Sequence, residues 1–242
     1  MGHIVKFFRS YISCGIYLLF IKGKVNKMVK NKDKYPLSVR YAYAQKVIKK
    51  LLKKLKVTIE VSGLEYIETN DKVMVVPNHR SLLDCIVLVA VSDKPLSFIA
   101  KEEAKDIFVI GKLTNLLDTL YMKRNNLRQS MEIIKEATNR LIDNKCVVIF
   151  PEGTRNQTTQ PLLDFKAGSF KPAIEAQASI SPVIIRGTDT ILSSKVKKTY
   201  RVSIEVLPPI IYEEYKDLSS VELSTQVHLL MEEQYKNPIK LW

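Results

Sequence analysis

From Val57 onward the chain alternates short β-branched runs with amphipathic stretches, and this alternation constrains the fold more than any other feature. The runs are VTIEV (57–61), KVMVV (72–76), LSFIA (96–100), TLYM (119–122), CVVIF (146–150), SPVIIR (181–186) and VSIEVL (202–207). Helical spacing lies between them, near 81–92, 102–117, 127–143, 166–178 and 219–236. The pattern predicts an α/β fold, a mostly parallel or mixed sheet flanked by helices. Ligands of such sheets bind where strands end and loops begin, so polar residues just after the runs are the first place to look for chemistry.

The first 56 residues have another character. They hold 15 Lys and Arg against one acid, Asp33, a charge of +14, while residues 57–242 hold 23 bases and 24 acids, a charge of −1. The sequence therefore divides into a basic N-terminal helical segment, 1–56, and a nearly neutral α/β domain, 57–242. A basic segment faces a polyanion, either nucleic acid or an anionic membrane surface. Residues 4–21 read IVKFFRSYISCGIYLLFI, and the unbroken part, Tyr11 to Ile21, is 11 residues long. A spanning helix needs about 20 apolar residues, so an interfacial helix fits better. The following KGKVNKMVKNKDK offers no signal-peptide cleavage site. Residues 36–56 predict a second helix: Tyr41, Ala44, Ile48, Leu51, Leu52 and Leu55 share one face, and Lys49, Lys50, Lys53, Lys54 and Lys56 form a stripe. The expectation is a two-helix membrane-docking unit over 1–56, with ordinary helices packed on the domain as the alternative.

Three strand ends carry the chemistry-bearing residues. In VVPNHRSLLD, His79 follows a strand directly, Asn78 suits an N-cap, and Asp84 lies five residues on. A carboxylate that holds a histidine selects one tautomer and strengthens a general base. In TLYMKRNN, Lys123 and Arg124 end a strand, and Arg makes forked contacts to phosphate. In CVVIFPEGTRN, Gly153 permits a tight turn between Glu152 and Arg155, a reasonable phosphate cradle. Taken singly, each has a plain structural alternative: a cap, a solvated base, a surface ion pair. Three scattered cysteines, Cys14, Cys85 and Cys146, imply no disulfide framework, and dispersed His3, His79 and His228 imply no metal site.

In this order the three segments resemble the glycerophospholipid acyltransferase family, most closely its 1-acylglycerol-3-phosphate (lysophosphatidic acid) acyltransferases. Asn78, His79 and Asp84 match the family's Asn-His-x4-Asp motif; Arg124 matches the Arg that ends its second motif; residues 150–155 match Phe-Pro-Glu-Gly-Thr-Arg throughout. Phe165-Lys166-x-Gly168 matches a further element, and ASISPVII (178–185) corresponds to the fourth motif, with Ser179 where Pro is common and Ser181 where the family is apolar. The resemblance covers about residues 55–210.

The resemblance implies transfer of an acyl group from acyl-CoA or acyl carrier protein to the sn-2 hydroxyl of 1-acylglycerol 3-phosphate, giving phosphatidic acid. Glycerol 3-phosphate or another lysolipid is the alternative acceptor. It implies catalysis by His79 and Asp84, with Arg124, Glu152, Gly153, Thr154, Arg155 and Lys166 at the acceptor headgroup, and no metal or cofactor. No nucleophile motif such as GxSxG is present, in keeping with direct transfer. Backbone N–H groups after Asn78 are the expected oxyanion donors. The partners implied are the donor, the lipid acceptor and an anionic membrane surface at its cytoplasmic face. Nucleic acid is not among them, since no basic aromatic stacking motif appears. A non-catalytic lipid- or carrier-binding module is the rival class. In 211–242 the expectation is a packing helix, with His228 a packing residue.

Overall fold

The computed structural model describes residues 2–107, 110–123, 126–191 and 198–237. The first helix, α1 (Gly2–Lys30), runs past the expected end at residue 21, and α2 spans Leu37–Lys54. No described helix is long and apolar enough to cross a membrane. The strands are β1 (Val57–Ser62), β2 (Val73–Pro77), β3 (Leu96–Lys101), β4 (Leu120–Met122), β5 (Cys146–Val148), β6 (Ser179–Arg186) and β7 (Tyr200–Val206). Their β-branched runs place each strand within two or three residues of its expected limits. Between them lie α3 (Glu65–Glu68), α4 (Asp84–Val91), α5 (Ile110–Leu116), α6 (Leu127–Ile142) and α7 (Lys171–Ala176), followed by α8 (Tyr212–Tyr215) and α9 (Ser220–Lys236). The helix expected over 102–117 is a 3-10 turn, Glu102–Asp106, and then α5; that over 166–178 is likewise a turn, Ala167–Phe170, and α7.

The strands form one sheet in the order β1-β7-β6-β2-β5-β3-β4. β6, β2, β5, β3 and β4 are parallel, β7 runs antiparallel to β6, and β1 follows β7. The sheet is therefore mixed. The five parallel strands bring the ends of β2, β3, β4, β5 and β6 to one edge. Side chains alternate across the pleat, so Val73 and Val75 join one core layer while Met74 and Val76 join the other. The first layer includes α4 and the buried face of α2: Tyr41, Ala44, Val47, Ile48, Leu51 and Leu52. The second includes α6, α7 and α9, through Leu141, Ala173, Leu223, Val227 and Met231, with Phe170 of the preceding turn. His228 packs edge-on against Phe165, with ring centres 4.8 Å apart, as expected for a packing residue.

The two N-terminal helices lie antiparallel in a fixed register. Lys54 Nζ donates to Ser13 Oγ at 2.5 Å, Lys50 lies over the Tyr17 ring, and Lys24 lies over Tyr43. Each advance along α1 is matched by an equal retreat along α2. Cys14, Leu18, Val25 and Met28 face inward, so the buried seam of α1 continues beyond its apolar run. At the other end, Arg40, 3% exposed, donates from Nη1 and Nη2 to Asp118 at 2.9 and 2.5 Å, and to the carbonyls of Tyr35 and Leu116. Lys32 also reaches Asp118, at 2.5 Å.

Burial raises the Asp118 pKa, but the hydrogen bonds from Arg40 and Lys32 outweigh it and hold the carboxyl below its ordinary value. Its stabilising contribution is thus present above the unfolded value near 4 and is lost as pH falls through the lower folded value. Asp118→Asn leaves Arg40 buried without a counter-charge and costs about 3 kcal/mol, the lower end for a broken buried pair. Urea denaturation at pH 7 checks this. The difference between wild type and variant should shrink below pH 4.

Candidate active site

At the edge where the parallel strands end, β2 passes into the 78–84 loop, β5 into 149–156 and β6 into 187–190. Asn78 is fully buried, and its amide pairs with both backbone groups of Ile185: Nδ2 donates to the carbonyl at 3.0 Å, and Oδ1 accepts the N–H at 2.7 Å. It extends the β2–β6 ladder through a side chain. The expected N-cap role is corrected here: Leu83 precedes α4, and no side chain caps it.

The staple turns the chain so that His79 lies over the start of α4. His79 Nδ1 is 2.8 Å from Asp84 Oδ2, and the ring lies on Phe150 with centres 4.2 Å apart. Asp84 is fully buried and saturated with donors. Oδ2 also accepts from the N–H groups of Arg80 and Ser81 at 2.8 and 2.7 Å, and Oδ1 accepts from Thr188 Oγ1 at 2.5 Å. An ionised carboxylate only accepts. The network therefore assigns the proton of neutral His79 to Nδ1 and leaves the Nε2 lone pair for an incoming acid. Thr188 reaches Asp84 because Gly187, at φ +88°, turns β6 sharply; a Cβ there would meet the Arg201 carbonyl at 2.3 Å.

Glu152 lies beneath this loop, 2% exposed. Its Oε1 accepts the His79 N–H at 2.6 Å, and its Oε2 the Leu163 N–H at 2.9 Å. Burial pushes its pKa up, while the two N–H donors and the nearby His79 and Arg80 pull the other way. Both oxygens are thus spent on backbone. This geometry suits a positioning role. The Asn156 N–H bonds the His79 carbonyl at 2.6 Å, binding the two loops together. Gly153 closes the intervening turn at φ +65°, with its N–H on the Phe150 carbonyl. Thr154, Arg155 and Lys166 are exposed at the same edge. Arg124 lies outside the described residues.

Three features escaped the sequence reading. Thr188 completes the Asp84 shell, signalled only by a Gly-Thr pair after an apolar strand. Arg80 straps the cradle, donating to the carbonyls of Gln160 and Thr158 at 3.1 and 3.2 Å and standing 4.0 Å from Asp189. The expected oxyanion donors are corrected: the N–H groups of His79, Arg80, Ser81, Leu83 and Asp84 are all taken by partners within the protein. Cys85 beside Asp84 is partly accessible yet enclosed by packed atoms. Desolvation first, and the Asp84 charge second, push its thiol up to about 12. It is a thiol at neutral pH and a poor nucleophile. Ser181 Oγ is buried without a hydrogen-bond partner among the described residues.

Asn78→Ala removes the staple and strands the Ile185 N–H and carbonyl. At about 1–3 kcal/mol for each of the two unsatisfied buried groups, the variant loses about 2–6 kcal/mol. Thermal unfolding checks this, and protection of the Ile185 amide from hydrogen exchange should fall with it.

The chain is similar to known proteins. A family model described as Acyltransferase matches residues 58–186, from β1 to the end of β6. A probable 1-acyl-sn-glycerol-3-phosphate acyltransferase of Mycoplasma genitalium is 32% identical over 165 residues, which is 64% of this chain and 58% of that protein. Its counterpart in Mycoplasma pneumoniae is 29% identical over 72% of this chain and 65% of the relative. The matched region thus spans less than two thirds of either relative. The crystal structure of the 1-acyl-sn-glycerophosphate acyltransferase of Thermotoga maritima superposes with a TM-score of 0.76 over 100% of this chain and 98% of that one, at 23% identity, and so shares the fold. With the family model covering more than half of its residues, including the 78–84 and 149–156 loops, the chain belongs to the acyltransferase family.

Proposed function

We propose that the protein acylates the sn-2 hydroxyl of 1-acylglycerol 3-phosphate, forming phosphatidic acid. The observation that carries this reading is the His79–Asp84 pair. A carboxylate with four donors holds the imidazole in one tautomer, and Nε2 is left to accept the hydroxyl proton as the oxygen attacks a thioester carbonyl. The imidazolium that forms gains from the Asp84 charge. When the tetrahedral intermediate collapses, the C–S bond breaks and the thiolate takes the proton back from Nε2. No acyl-enzyme is required, in keeping with the protonated Cys85. The names of the Mycoplasma relatives support the acceptor.

Around this base, Arg155, Lys166 and the Arg124 of the second motif serve the acceptor phosphate. Thr154 lies in the same turn, and Gly153 gives the turn its shape. Glu152 acts through the backbone of His79. The donor is acyl-CoA or acyl carrier protein, as the family resemblance implies.

Residues 1–56 serve membrane docking in this reading. Ile12, Ile16, Leu19 and Phe20 are exposed on α1, Phe20 by 83%. Their spacing of four, seven and eight residues places them on one face. Such a face, flanked by lysines, suits burial in one leaflet of an anionic membrane at its cytoplasmic side, where the soluble donor arrives.

His79→Ala should lower kcat for acyl transfer to lysophosphatidic acid by at least about a thousandfold, within the range for loss of a general base. Assay beside glycerol 3-phosphate decides the acceptor: product from glycerol 3-phosphate alone would reject the proposed one. Arg155→Ala should instead raise the KM for lysophosphatidic acid. A double substitution, Ile16→Asp with Phe20→Asp, should abolish flotation with anionic vesicles, while activity in detergent stays near wild type. Undiminished flotation would overturn the docking role of α1.

A further inference from the structure

The lysine stripe of α2 is divided between two tasks. Lys50 and Lys54 are engaged by Tyr17 and Ser13 of α1. Lys49, Lys53 and Lys56 instead line a cavity of about 520 Å³ between the end of α2, the start of β1 and the end of α4. All three are exposed, and none has an acidic partner among the described residues. The cavity floor is aliphatic, formed by Leu52, Ile59 and Val91. Among its described lining residues there is no acid and no aromatic ring. The volume is that of a ligand site, commonly about 300–1,000 Å³. Lys56 is held at φ +57°, where α2 breaks to enter β1, so the rim lysine nearest the sheet sits on a turn fixed by the core on both sides.

We infer that this cavity holds one anionic glycerophospholipid, its phosphate among Lys49, Lys53 and Lys56 and the upper part of an acyl chain on the aliphatic floor. The lining matches both halves of such a molecule: cations for the phosphate, apolar surface for the chain, and no ring to stack a base. The helix register supplies the location. Ser13 and Tyr17 of α1 lie against Lys54 and Lys50, so Ile12, Ile16 and Phe20 flank the same end of α2 as the cavity. An apolar α1 face within a leaflet would bring this end of α2 close to the headgroups. The inference rests on the docking role proposed for α1 and adds to it a discrete, saturable site distinct from His79.

The test separates the two. Wild-type protein is titrated calorimetrically with dihexanoyl phosphatidylglycerol below its micelle concentration, with dihexanoyl phosphatidylcholine, and with inorganic phosphate. The expected result is one phosphatidylglycerol per chain, with the other two much weaker. Lys49→Gln, Lys53→Gln and Lys56→Gln together should weaken binding roughly a hundredfold, since each lysine near an anionic surface contributes about a factor of five. Thr58→Trp fills the mouth without altering charge and should abolish the stoichiometric binding. Both variants should retain acyl transfer in detergent, which shows that they fold. Equal binding of phosphatidylcholine, equal binding of inorganic phosphate, or unchanged binding by Thr58→Trp overturns the lipid site. So does a complex with acidic acyl carrier protein that Thr58→Trp abolishes while phosphatidylglycerol fails to bind. Vesicle flotation of the α1 variant reports separately on docking: its failure leaves the soluble-lipid titration standing.

Discussion

The Asp84 carboxylate is the interaction on which the site depends. It is fully buried, and a buried charge persists only with partners. Its partners come from three places: the His79 ring, the backbone of residues 80 and 81, and the Thr188 hydroxyl beyond β6. Each contact that stabilises the charge also orders a piece of the site. The loop cannot relax without exposing the carboxylate, and the carboxylate cannot move without releasing the histidine. Glu152 repeats the device one layer below, spending both oxygens on backbone N–H groups. Two acids thus act on a single loop, one through the imidazole and one through the peptide that carries it.

Much of this was legible in the sequence because it is local. The β-branched runs mark strands through sterics and alternation, which need no partner to be read. His79 and Asp84 lie five positions apart, close enough for one turn to join them. What was not legible is long-range. The Asn78 amide completes a ladder with Ile185, 107 positions away, and from sequence it read as a helix cap. Thr188 approaches Asp84 across 104 positions. The backbone donors after Asn78 looked free to meet an oxyanion, and only the fold reveals that Glu152 and Asp84 take those of His79, Arg80 and Ser81. The two helices that begin as 3-10 turns were blurred for another reason: apolar spacing persists through a tight turn, so periodicity alone does not mark the change.

The N-terminal helices join two demands. Lysine-rich α2 contributes Tyr41, Ile48 and Leu52 to the core beside β2 and α4, so it belongs mechanically to the sheet. α1 rests on α2 through Ser13, Tyr17 and Lys24, and its inner seam of Leu18, Val25 and Met28 is covered. Its outer apolar stripe, Ile12, Ile16, Leu19 and Phe20, is uncovered. The length of α1, unexpected from its apolar run, follows from that seam: Val25 and Met28 continue the covered face through a stretch that reads as purely basic.

The matched register of α1 and α2 bears on how a surface-bound enzyme would find its substrate. A helix pair locked at three points and built into the core leaves no loose tether between a membrane and the catalytic edge. Bound through α1, the whole molecule would keep a constant attitude to the bilayer and lose rotational freedom about axes in its plane. In the proposed reaction, encounter with an acyl-bearing acceptor would then become a two-dimensional search within one leaflet, and product would return to the leaflet that supplied the acceptor. Only the thioester donor would need to arrive by diffusion through solution.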